Sequence, residues 1–137
     1  MAINTSALGS FAIPTVYQQE QKAAFRKQQA LFYTIRYLQW QAVKGNVFRD
    51  AIANGTIEPI APGYRDAKGN WVRPEYDPDE ISELYREAQQ DFNAKFDAAF
   101  ACATAEELAD YGLRFFGKTE RQLLEINRER SAERFNR

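Results

Sequence analysis

The sequence predicts an all-α fold, a single helical domain over residues 1–137 organised on two long helices. Three observations lead there. Apolar residues recur at spacings of three and four along two extended stretches. Helix-start devices stand before both of these and before two shorter stretches. Strand-like residues are confined to one insert punctuated by proline and glycine.

Residues 1–13, MAINTSALGSFAI, carry no charged side chain and show neither helical nor strand period. They read as an extended N-terminal arm. It either frays or lies on a neighbour, with Leu8, Phe11 and Ile13 as anchors. The first long helix is expected over about 15–44. Thr15 and Gln18 form a capping-box pattern, and Gly45 after Lys44 reads as its C-cap. Ala24, Phe25, Gln28, Leu31, Phe32, Ile35, Leu38, Ala42 and Val43 share one side, the side expected to face the core. Asn46 then caps a short helix from Val47 to Ala53, which Asn54-Gly55 ends.

Residues 56–77 form an irregular, hairpin-like insert. Pro59, Pro62, Gly63, Gly69 and Pro74 interrupt any helix. Lys68-Gly69-Asn70 is a turn, with Tyr64-Arg65 and Trp71-Val72-Arg73 as the flanking strands. The second long helix, about 78–101, begins with an Asp77 N-cap, Pro78 at the first helical position and acids behind it. Shorter helices follow at about 105–116, opened by Thr104 with Glu107, and at about 120–134, opened by Thr119 with Gln122. Past Ile126 the apolar stripe stops, so residues 127–137 read as a polar helical tail.

Composition bounds the function. With 45% hydrophobic and 14% aromatic residues the chain can bury a core. No apolar run approaches the roughly 18 residues of a membrane span, and the N-terminus lacks the basic start of a secretory signal. Cys102 is the single cysteine, so an internal disulfide is impossible. The expected location is the cytoplasm or an assembled particle such as a virion. The net charge of −1 hides a strong segregation. Residues 1–74 hold nine Lys/Arg and four Asp/Glu, residues 75–110 two and eleven, and residues 111–137 seven and four. Basic and acidic elements either attract one another inside the monomer or dock onto neighbouring chains.

The chain has no histidine. That removes the commonest general base, the commonest metal ligand and every His-dependent triad. Cys102, in the uncharged run Ala99-Phe-Ala-Cys-Ala, is expected to be a buried thiol rather than a nucleophile. Glu80, Glu83, Glu87 and Asp91 recur along one side of the second helix, away from its apolar face. Without a Glu-x-x-His pattern they read as a solvated acidic face, not a dimetal site. The loop from Asp66 lacks the ligand pattern of an EF-hand. Gly112 to Thr119 formally matches G-x-x-x-x-G-K-T, but its bulky, helix-patterned interior and the lack of a preceding strand mark a coincidence. No catalytic residue, metal ligand or cofactor site is expected, and no small-molecule substrate.

The first helix carries a second stripe. At about 100° per residue Lys22, Arg26, Gln29, Tyr33, Arg36, Tyr37, Trp40 and Lys44 lie roughly 140° from the core stripe. Aromatic residues among cations are unusual for a solvated face. Either another layer of this chain covers them, or they bind a protein partner, or they stack on single-stranded nucleic acid. Lys22, Arg26, Tyr33, Arg36, Tyr37, Trp40 and Lys44 are therefore the candidate partner-binding residues. The functional expectation is a non-enzymatic structural or assembly subunit of a larger complex, bound to other subunits or copies of itself. A phage head or head–tail component is the analogous design. The alternative is an accessory subunit that binds single-stranded nucleic acid through this face.

Overall fold

The structure, a computed structural model, describes residues 15–135. Leu8, Phe11 and Ile13, the expected arm anchors, lie outside them. The described residues form an all-α fold: helices α1 (Val16–Ala53), α2 (Pro78–Phe100), α3 (Ala105–Phe116) and α4 (Glu120–Phe135), with strands β1 (Tyr64–Arg65) and β2 (Trp71–Val72) between α1 and α2. Among the described residues no helix is long and apolar enough to cross a membrane. The contacts gather into two compact units, one up to Ile35 and from Ala103 onward, the other over Arg36–Cys102.

The first unit packs the start of α1 with α3 and α4. Its core is Leu31, Ile35, Leu108 and Leu123, each with 0% exposure. Gly112 lets the helices meet. A Cβ at that position would sit 2.5 Å from Leu123 Cδ1 and 2.9 Å from Ile35 Cδ1, so only glycine allows this approach. That is the physical reason for a glycine inside α3, which propensity alone disfavours. The ends of α3 and α4 are fixed locally. The Thr104 hydroxyl accepts from the Glu107 N–H at 3.1 Å while the Glu107 carboxylate accepts from the Thr104 N–H at 3.2 Å. Thr119 and Gln122 repeat the exchange at 3.3 and 2.9 Å. Gly117 closes α3 in the left-handed region, φ 63°. Lys27 of α1 pairs with Glu120 of α4.

The second unit packs the rest of α1, the insert and α2. Trp40, Ala51, Ile57 and Phe96 are its buried apolar residues. Phe92, Phe96 and Phe100 line α2, one turn apart, with ring centroids 6.0 and 4.4 Å apart. Phe48 meets Tyr76 edge-on at 4.9 Å. The insert is a ribbon in which Tyr64 pairs with Val72 and Arg65 with Trp71, and the Ala61–Glu75 bridge keeps the same register. Its turn is tied by the Asp66 carboxylate, which accepts from the N–H groups of Lys68 and Asn70, both at 2.9 Å. Gly69 supplies the positive φ of 81°.

Two sequence expectations need correction. The first helix does not end at Gly45 but continues to Ala53, absorbing the short helix expected at 47–53. A glycine inside a helix costs about 1 kcal/mol, while Val47 and Phe48 beyond it are half-buried and Ala51 is buried. Packing outweighs propensity. The stop comes at Asn54-Gly55, where Thr56 N–H donates to Ala51 O at 2.9 Å and Gly55 N–H to Ile52 O at 3.3 Å, a Schellman closure. Cys102, expected to be buried, is exposed. It lies just past the end of α2, between the half-buried Phe100 and Ala103.

Candidate protein-interaction surface

The cationic–aromatic stripe of α1 meets two different fates, one in each unit. In the first unit Lys22 and Arg26 are exposed, and Tyr33 is 43% exposed with its ring edge-on to Phe32 at 5.4 Å. Every residue from Thr15 to Lys27 is exposed. Val16, Tyr17 and Phe25 reach 70%, 67% and 63% exposure. Phe25 and Ala24 were expected to face the core, but the packed part of the stripe begins only at Leu31. The opening turns of α1 are thus an amphipathic helix whose aromatic residues meet solvent. Reciprocal bonds start it: Thr15 N–H donates to Gln18 Oε1 at 2.9 Å and Gln18 N–H to the Thr15 hydroxyl at 3.2 Å.

In the second unit the same stripe is largely consumed by this chain. Trp40 is 5% exposed and packs on Phe92 of α2, ring centroids 5.6 Å apart. One guanidinium nitrogen of Arg36 donates to both carboxylate oxygens of Asp97, at 2.9 and 3.1 Å. Lys44 is exposed and holds its ammonium 6.0 Å from the centroid of the Tyr85 ring. Tyr37 is half-buried. Helix α2 covers Trp40 through Phe92, so at Trp40 the cover comes from this chain. Trp40 and Arg36 therefore serve the fold of the second unit. Of the continuing Leu31–Ile35 stripe, Leu38 and Val43 are half-buried and Ala42 is exposed, while Trp40 and Ala51 are buried.

The acidic face of α2 is solvated, as its residue pattern implied. Glu80, Glu83, Glu87 and Asp91 are exposed. Arg86 grips Glu83 with both forks of its guanidinium, Nε lying 2.9 Å from Oε2. That hydrogen bond holds the Glu83 carboxyl below its ordinary value of 4.5. Lys95 pairs with Asp91 at 2.9 Å. Among the described residues no group of three or more His, Cys, Asp or Glu is placed to hold a metal ion. The P-loop-like letters fall as their pattern implied: Gly112 to Phe116 belong to α3, so their N–H groups point along a helix rather than into a cradle.

What sequence reading missed lies in the insert. Trp71 and Tyr64 are each 57% exposed and Ile60 is 66% exposed. Trp71 has a fixed seat, because the space where a Gly63 Cβ would stand is filled by its indole, 2.5 Å from Cζ2. Gly63 two residues before Arg65, facing Trp71 across the ribbon, was the signal in the sequence. No protein-family model matches this chain, and neither a curated protein nor a solved structure matches it.

Proposed function

We propose that this protein is a non-enzymatic structural or assembly subunit of a larger protein complex, with a phage head or head–tail component as the setting such a design suits. The observation that carries the reading is the opening of α1, where Tyr33 stands exposed beside Lys22 and Arg26, and Tyr17 and Phe25 are exposed on other sides of the helix. Aromatic residues next to cations supply the large, anchored contact area of interface hot spots. A helix start exposed on all sides has the form a groove or neighbouring helix accepts. The partner surface is thereby reduced to Lys22, Arg26 and Tyr33 from the original stripe, joined by Tyr17 and Phe25.

Single-stranded nucleic acid is the competing reading, and its platform is smaller than the sequence implied. Stacking needs open ring faces, and Trp40 gives its ring to Phe92. A photo-crosslinking residue placed at Tyr33 in producing cells separates the readings. Crosslinks to a discrete protein chain are expected. Crosslinks to nucleic acid alone, or none, would overturn the assembly reading.

A further inference from the structure

Charge segregation and the seat of Trp71 lie in the same unit, and together they define a second surface. The pairing of Arg65 with Trp71 puts both on one face of the ribbon, and alternation places Arg73 beside Trp71 on that face. Glu75 follows two positions on, at the ribbon's base. The indole is exposed yet seated against Gly63. An aromatic ring fixed before binding loses little freedom when covered. Arg65 is steadied as well, donating to Gly69 O at 3.0 Å. The tip of the ribbon is therefore a rigid indole between two cations.

Helix α2 carries the complement. Glu80, Glu83 and Glu87 recur about one helical pitch of 5.4 Å apart, and all three are exposed. Between them the Glu83 carboxylate fixes the orientation of the planar Arg86 guanidinium, with 53% of the Arg86 side chain exposed. A planar guanidinium held in one orientation stacks well on an aromatic ring. Arg65 and Arg73, about 7–8 Å apart as diagonal neighbours, can reach successive acids along that helix. Nothing else in the chain is as acidic as residues 75–110, with eleven acids against two cations.

We propose that the β1–β2 ribbon of one copy docks on the acidic face of α2 of a second copy, Trp71 stacking on Arg86 while Arg65 and Arg73 meet Glu80 and Glu87. The contact is made once between each two copies, so it is heterologous and repeats from copy to copy as a ring or an open chain. This surface is separate from the opening of α1 and stands whether or not that helix binds a partner.

Sedimentation velocity on the full-length protein over a concentration series tests it. At low salt the mass is expected to rise beyond one chain with concentration and to fall back when salt screens the charges. The pair R65Q/R73Q and the pair E80Q/E87Q should each remain single chains, with circular dichroism spectra like the wild type. An equimolar mixture of the two should form dimers and stop there, because each variant keeps one intact patch. Trp71→Ala should weaken self-association by about tenfold or more. A wild type that stays a single chain up to about 1 mM would overturn the proposal. So would charge variants that associate like the wild type, or a mixture of folded variants that fails to dimerise. Single-stranded oligonucleotide binding that Trp71→Ala abolishes, without self-association of the wild type, would assign the ribbon to nucleic acid instead.

Discussion

The indole of Trp40 lies 5.6 Å from the ring of Phe92, centroid to centroid and tilted by 44°, and is 5% exposed. A residue whose type and neighbours suggest a docking surface is here the centre of a small core. Trp40→Ala should therefore destabilise the second unit by about 3–5 kcal/mol, the usual cost of emptying a buried aromatic site. Chemical denaturation followed by circular dichroism measures it. A loss below about 0.5 kcal/mol, the range of surface substitutions, would return Trp40 to the exposed face.

Gly112 makes a complementary prediction in the first unit. Gly112→Ala gains helix propensity of about 1 kcal/mol, but its methyl would collide with Leu123 and Ile35. Overpacking of this kind costs about 1–3 kcal/mol, so the net effect should be a lower melting temperature. A rise in melting temperature would show that α3 does not approach its neighbours this closely.

Thr34 is 0% exposed, and its hydroxyl makes no hydrogen bond among the described residues. A buried hydroxyl without a partner forfeits its hydration. Thr34→Val, nearly the same shape, should be neutral or stabilising by about 1 kcal/mol. A clear loss of stability in the same denaturation experiment would mean that the hydroxyl has a partner after all.

Glu83 gives a pH signature. Its carboxyl titrates below 4.5 because Arg86 bonds its charged form. The sign follows from linkage: a depressed acid stabilises the folded chain above its unfolded pKa and loses that contribution as pH falls through the folded one. The window lies below pH 4.5, and the effect is small because both side chains are exposed. Carboxyl titration by NMR should find Glu83 returning toward 4.5 in Arg86→Gln. Identical curves in the two proteins would refute the pairing.

Features decided within a few residues were legible in the sequence. Thr15, Asp77, Thr104 and Thr119 start helices because each bonds an N–H two or three positions on. Lys68-Gly69-Asn70 marked the turn because only glycine takes its positive φ easily. The strands beside it followed. Features decided by distant partners were not legible. Gly45 reads as a stop until Val47, Phe48 and Ala51 are seen to be covered. Arg36 reads as a free surface cation until Asp97, 61 residues away, takes its guanidinium. Cys102 departs from its expected burial, and the choice between cover and partner for Trp40 is settled, for the same reason, since burial depends on which helix packs against which. Of the candidate stripe, only the exposure of Lys22, Arg26 and Tyr33 among the described residues agrees with a surface reading, because that part of α1 keeps its helical period.

The central claim is that the exposed opening of α1 joins this protein to others. Sedimentation of the native extract, wild type beside Arg26→Glu/Tyr33→Ala, tests it most directly. The wild type should travel in a particle well above the mass of its own chain, and the variant should be released as a smaller species with an unchanged melting temperature. A wild type that sediments as a single compact chain, in the extract and when purified at high concentration, would contradict the account.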